Sequence, residues 1–136
     1  MARECTIEVR VRYAEVDRMG FAHHSRYLVW FEMGRTELFR GAGATYRQCE
    51  DDGVLLTVAR ASLRYRSPAR YDDLLLLTTR LVKMGRVKIE HAYELRRKAN
   101  GTLIATGQTT VGSIDADGKV VPLPPSIRRT AEAPPD

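Results

Sequence analysis

From Val54 to Leu123 the chain presents one alternating segment after another, each closed by a turn signal. Val54–Arg66 reads as a long strand that Pro68 breaks, and Asp72–Met84 as the next. Gly85-Arg86 turns the chain into Val87–Arg97, where Val87, Ile89, His91, Tyr93 and Leu95 alternate with charged residues. Asn100-Gly101 suits the left-handed backbone of a tight hairpin and leads into Leu103–Ile114. Asp117-Gly118 marks another turn before a short extension, Lys119–Leu123. Links this short favour antiparallel pairing, since a parallel return needs a dozen or more residues.

The first half supplies what such a sheet covers. Cys5, Ile7, Val9, Val11 and Tyr13 alternate with Thr6, Glu8, Arg10 and Arg12, the pattern of a half-buried strand. Ser25–Arg40 then switches to helical period: Tyr27, Phe31, Gly34 and Leu38 share one side, flanked by Leu28, Arg35 and Phe39. Gly41 and Gly43 stop this helix, and Thr45-x-x-Gln48 reads as a capping box opening a short second helix that ends near Gly53. The order predicts an α+β domain over residues 1–130, one long helix against a curved antiparallel sheet, followed by a proline-rich tail, Ala131–Asp136, that frays. In Asp72–Met84, Leu74, Leu76, Val82 and Met84 occupy one face and Leu75, Leu77 and Leu81 the other. Such a strand is covered on both sides, by the chain's own elements or by a partner subunit.

With 43% hydrophobic and 29% charged residues in 136, the chain is neither disordered nor membrane-embedded in composition. Its longest strongly apolar run, Leu74–Leu77, is far too short to span a bilayer. Met1–Arg12 alternates rather than forming a signal-peptide core, so a cytoplasmic location is expected. Cys5 and Cys49 lack CxxC or metal-ligand spacing and read as reduced structural thiols. A net charge of +5 suits a polyanionic small ligand, a nucleic acid or an acidic protein about equally. The long helix carries Glu32 and Glu37 among its basic residues, which argues against a nucleic-acid reading surface.

Chemistry concentrates in Tyr13–Arg35. Asp17 lies in a polar, glycine-containing loop after a strand and before the long helix, beside free N–H groups and the positive end of a helix dipole. A carboxylate and an anion-stabilising helix end are what attack on a carbonyl requires, which points to acyl transfer. The same aspartate would also suit a purely structural cap or turn. His23, His24, His91 and Asp17 make no metal motif, since adjacent histidines rarely both ligate and HExxH is missing. Neither GxGxxG nor a P-loop occurs, so no cofactor is expected. His91, on the inward alternation of its strand, reads as a satisfied core histidine, and Arg35 and Glu32 as an ion pair along the helix. Met19, Phe21, Leu56 and Val58 are candidate pocket walls.

Three motifs carry a family resemblance: Asp17-x-x-Gly20-x-x-x-His24-x-x-Tyr27, Phe31-Glu32-x-x-Arg35-Thr36-Glu37, and Leu63-Arg64-Tyr65-x-x-Pro68-Ala69-Arg70-Tyr71-Asp72-Asp73. They resemble the hotdog-fold acyl-CoA thioesterases of the 4-hydroxybenzoyl-CoA thioesterase family, and most closely its Tol-Pal-associated branch. The resemblance spans roughly Thr6 to Ile127. It implies a hotdog fold and hydrolysis of a fatty or aromatic acyl-CoA. Asp17 would be nucleophile or general base, and the backbone N–H at His24 would polarise the thioester oxygen. Gly20, Ser25 and Tyr27 would contact substrate, although Tyr27 alone reads as core. Arg86 and Lys88, with Arg64 weaker, would meet the phosphates of coenzyme A. The resemblance further implies a homodimer or homotetramer with sites built across the dimer. An acyl carrier protein substrate, or acyl-CoA binding without catalysis, stands as the alternative. Arg18-Met19 departs from the small residues usual after the aspartate, which bears on substrate size.

Overall fold

The computed structural model describes residues 3–132. Strand β1 (Arg3–Arg10) leads through a single 3-10 turn, Tyr13–Glu15, and an irregular loop into helix α1 (Arg26–Gly41). Helix α2 (Tyr46–Asp51) and strands β2 (Leu55–Tyr65), β3 (Leu74–Met84), β4 (Lys88–Arg97) and β5 (Leu103–Ile114) follow, then a one-turn helix α3 (Pro125–Arg128). The strands form one antiparallel sheet in the order β1-β3-β4-β5-β2, which leaves β1 and β2 as edges. This is the expected α+β architecture of one long helix held by an antiparallel sheet.

Strand alternation sets which face holds the helix. Val9, Leu75, Leu77, Tyr93, Leu95 and Ala105 point inward and pack with Tyr27, Trp30 and Phe31 of α1. Burying each large side chain contributes roughly 1.5–3 kcal/mol. Two glycines permit the close approach. A Cβ at Gly34 would overlap Thr79 Oγ1 on β3, and one at Gly107 would overlap the Phe31 ring. Phe31 and Tyr93 stack with ring centres 4.2 Å apart. A second apolar cluster gathers Phe39, Cys49, Val54, Ile89, Leu123 and Ile127 under α2 and α3.

Several expectations need correction. β1 stops at Arg10, and Tyr13 is 79% exposed rather than facing the core, because the chain turns at Tyr13–Glu15. Leu28 faces out, whereas Trp30, outside the expected stripe, is buried. The two leucine faces of β3 are unequal. Leu75 and Leu77 are fully buried, Leu74 and Leu76 half-buried on the outer face, and Val82 exposed. The short extension Lys119–Leu123 contributes one isolated bridge, Val120 to Ile114. The expected fraying tail begins at Ala131, which ends a 3-10 turn, and its last four residues lie outside those described. Thr45 does open α2, its hydroxyl accepting from the Gln48 N–H at 3.1 Å.

Candidate active site

The segment between β1 and α1 is built from short-range hydrogen bonds that fold it back on itself. Gly20 N–H donates to Asp17 O, and Asp17 N–H to Phe21 O, each at 2.9 Å. The turn needs φ +82° at Gly20, a conformation that glycine adopts without strain. Val16 and Ala22 then bridge, which returns the chain to Asp17. Asp17 Oδ1 accepts from the N–H groups of Met19 at 2.9 Å and Phe21 at 3.3 Å. Oδ2 accepts nothing among the described residues. One oxygen is therefore anchored and the other is free.

The loop is fastened to the rest of the fold at several points. Ala22 N–H donates to Ala69 O at 2.7 Å, and Tyr71 N–H to Gly20 O at 3.3 Å. His23 N–H donates to Glu15 O at 2.8 Å. Glu15 itself is 2% exposed and accepts from the Arg12 N–H at 2.7 Å and the Trp30 indole N–H at 3.0 Å. Burial alone would raise its carboxyl pKa, but these bonds and the Arg12 guanidinium outweigh it and hold the group below the usual carboxylate range.

At the helix start, Arg26 N–H donates to His23 O at 3.0 Å and Ser25 N–H to His23 Nδ1 at 3.2 Å. Ser25 occupies the cap position, but its backbone is already helical and its hydroxyl caps nothing, lying instead 2.8 Å from His23 Nδ1. The Tyr65 hydroxyl donates to His24 O at 2.9 Å. His24 N–H donates to nothing among the described residues.

Asp17 and His24 line one open cavity of about 340 Å³. Met19, Phe21 and Ala22 from the loop, Tyr27 from α1, and Tyr65, Arg66, Ser67 and Pro68 at the end of β2 complete its wall. Tyr27 is 3% exposed and packs edge-on against Tyr65, ring centres 4.9 Å apart. Burial raises the pKa of both phenols, so both stay protonated at neutral pH.

The remaining candidates lie elsewhere. Gly20 shapes the turn rather than the cavity wall, and Ser25 is exposed beside it. Arg64 projects from the outer sheet face into a separate groove of about 490 Å³ shared with Arg80 and Glu94. Arg86 and Lys88 are exposed at the β3–β4 turn. Lys88 pairs with Gly112 on β5, whereas Tyr65 pairs with Ala105. At about 3.3 Å per residue, the turn stands roughly 23 Å along the sheet from the cavity within one protomer. Leu56 and Val58 line a different cavity, of about 400 Å³, with Arg35 and Tyr46. Arg35 does not pair with Glu32. It is 5% exposed and reaches inward to the hydroxyls of Tyr93 at 3.1 Å and Tyr46 at 3.4 Å. His91 is buried, yet neither ring nitrogen has a partner among the described residues, contrary to the satisfied histidine expected. Sequence reasoning missed Tyr65, Arg66 and Ser67 as cavity residues. Their signal was the break at Pro68, which ends β2 beside the helix start.

The profile of the Thioesterase-like superfamily matches residues 11–131, nearly the whole chain. The chain belongs to the thioesterase-like superfamily. An acyl-CoA thioesterase, YbgC, of Haemophilus influenzae is 30% identical over 116 residues, covering 85% of this chain and 83% of its own. YneP of Bacillus subtilis, provisionally described as an acyl-CoA thioesterase, is 36% identical over 92 residues, 68% of this chain and 67% of its own. A DHNA-CoA thioesterase from Staphylococcus aureus superposes with a TM-score of 0.85 at 29% identity, over 88% of this chain and 80% of that one. The thioesterase-like chain described here accordingly has the hotdog fold, and no helix among its described residues is long and apolar enough to cross a membrane.

Proposed function

We propose that this protein is an acyl-CoA thioesterase that hydrolyses a fatty or aromatic acyl-CoA to the free acid and coenzyme A. One observation carries the reading: Asp17, with one carboxylate oxygen free, and His24, whose N–H at a helix start has no partner among the described residues, line the same cavity. The thioester oxygen accepts from His24 N–H, aided by the α1 dipole. Asp17 Oδ2 either attacks the carbonyl carbon, giving a mixed anhydride that water cleaves, or takes a proton from an attacking water. The thiolate of coenzyme A leaves in both routes. Holding Oδ1 on two N–H groups fixes the carboxylate in place and leaves the other oxygen free for the reaction. Gly20 serves by shaping the loop, Tyr27 by lining the cavity, and Ser25 by fixing His23.

The phosphate contacts need a second copy. β2 is an edge of 11 residues with Leu55, Val58 and Tyr65 exposed, a surface that pairs readily with another strand. A two-fold antiparallel pairing of β2 edges sets the Leu55 end of one protomer beside the Tyr65 end of the other. The partner's β3–β4 turn, with its Arg86 and Lys88 counterparts, then lies at the same end as the Asp17 cavity. This supports a homodimer, or a tetramer of two such pairs, whose cavity is completed across the interface. The motifs support the Tol-Pal-associated branch, and the order of helix and strand patterns a single domain over residues 1–130; a cytoplasmic location is part of the same proposal.

Exposed Arg60, Arg64 and Arg66 along β2 favour one second reading, an acyl group delivered on an acidic carrier protein. Thiol release from a panel of acyl-CoAs and one acyl carrier protein thioester, with wild type and Asp17→Asn, tests both. Wild-type turnover falling about 100-fold or more in Asp17→Asn establishes the catalytic carboxylate. Equal activity in the two proteins rejects Asp17. Turnover restricted to the carrier-bound thioester selects the second reading, and no turnover at all leaves a binding module.

A further inference from the structure

We infer that Tyr65 is a positioning residue whose hydroxyl fixes the His24 carbonyl, and with it the backbone at His24, so that the N–H of the same residue stays aimed into the Asp17 cavity. The inference rests on the thioesterase reading for its kinetic consequence, though not for its geometry. Consider what holds His24. On its N-terminal side the His23–His24 peptide is fixed through His23 O, which accepts from Arg26 N–H at 3.0 Å, while His23 N–H is tied to Glu15 O at 2.8 Å. On its C-terminal side the carbonyl accepts from Tyr65 Oη at 2.9 Å, across 41 residues of sequence. The His24 N–H shares the plane of the first of these peptides, and the Tyr65 bond fixes the plane that follows, so with both clamped the backbone at His24 has little rotational freedom.

The far end of this clamp is rigid. Tyr65 ends β2 paired with Ala105, and the next two N–H groups, Arg66 and Ser67, both donate to Ile104 O at 2.8 and 3.1 Å. Tyr27 supports the ring edge-on at 4.9 Å and is itself 3% exposed. Tyr65 thus ties the helix start to the sheet across the cavity mouth, and its hydroxyl proton is committed to His24 O. Nothing else among the described residues bonds that carbonyl. An oxyanion donor works by being fixed before charge develops, so loosening it raises the barrier without weakening ground-state binding.

Tyr65→Phe removes the hydroxyl and keeps the ring contact with Tyr27. Two readouts apply: the ¹⁵N order parameter of the His24 amide, and kcat and KM for the best acyl-CoA. We expect the His24 order parameter to fall from about 0.85 towards 0.6 while mid-helix amides stay rigid. We expect kcat to fall about 10-fold with KM within about 2-fold, short of the roughly 100- to 1000-fold cost of losing an oxyanion donor outright. Reduced kcat with an unchanged His24 amide would overturn the inference in favour of direct contact between Tyr65 and substrate. A looser amide with unchanged kcat would overturn it as well, as would losses in kcat and KM that track a lowered Tm. If wild type cleaves no thioester, the functional reading fails, and the amide measurement alone decides whether Tyr65 holds the peptide.

Discussion

The two ends of α1 treat polar groups in opposite ways. At the N-terminal end most backbone N–H groups from Glu15 to Arg26 are bonded; those of Arg18 and His24 have no partner among the described residues, and His24 lines the cavity. Further along the helix the polar groups are buried and short of partners. Among the described residues Arg35 has two tyrosine hydroxyls but no carboxylate, and the His91 ring nitrogens and Thr79 Oγ1 have no partner. An unmet donor at a cavity mouth can be met by substrate. An unmet polar group in the core is a standing cost of about 1–3 kcal/mol. The first region is shaped for chemistry, and the second persists because apolar packing around it is strong enough to carry it.

The sharpest way to break that comparison is to disturb the packing. In Gly34→Ala the new methyl would overlap Thr79 Oγ1 and come within 2.9 Å of Leu77 Cδ2, both side chains of residues fully buried on β3. α1 must lift off the sheet, and overpacking of this kind costs about 3 kcal/mol at the upper end of its usual range. Urea unfolding should show a midpoint shifted well below wild type with an unchanged slope. A midpoint equal to wild type would mean the core is loose enough to absorb a methyl, and the unpaired polar groups would then need another explanation.

The same contact shows what the sequence could and could not disclose. Gly34 fell on the apolar stripe by spacing, and so did Tyr27, Phe31 and Leu38, because helical period is a property of neighbours in the chain. The strands were legible for the same reason, as were the turns at Gly101 and Gly118, both with positive φ. Asp17 and His24 were legible as candidates from their loop and motif. The cavity they share was not, since it depends on the Val16–Ala22 bridge and on β2 ending beside the helix. Arg35 was misjudged because helix spacing places Glu32 nearby, whereas Tyr46 and Tyr93 come from distant segments. Tyr13 was misjudged because alternation continues past the residue where the backbone turns.

Glu15→Gln probes the satisfied end. Glutamine keeps the shape but weakens the bonds from Arg12 and Trp30, which gain from the charge, so a loss of about 2 kcal/mol is expected at pH 7. The pH window follows from the depressed carboxyl pKa. The stabilisation is complete above the unfolded value near 4.5 and disappears as pH falls through the lower folded value. Wild type and variant should therefore differ in Tm at pH 7 and converge as pH falls below 4.5 and through the lowered folded value. A constant gap across that range would show that the charge of Glu15 contributes nothing.

The unsatisfied end should respond in a different window. Burial, with the Arg35 charge adding to it, pushes the His91 pKa down from 6.5 to about 3. Folded His91 stays neutral while the unfolded chain takes up a proton below pH 6.5, so its contribution is intact above 6.5 and lost as pH falls towards 3. Between pH 7.5 and 5.5 this linkage costs wild type about 1 kcal/mol, at a pH where Glu15 is still fully ionised in both states. His91→Leu fills the same apolar setting against Phe39 without a titrating group, and should flatten that part of the stability profile. It should also unfold at a higher midpoint than wild type at pH 5.5, because two buried nitrogens without partners are removed. An unchanged slope between pH 7.5 and 5.5 would mean that the folded protein protonates His91 as readily as the unfolded chain does. The helix end around Arg35 would then be open enough to admit water, and the contrast with the Glu15 end would vanish.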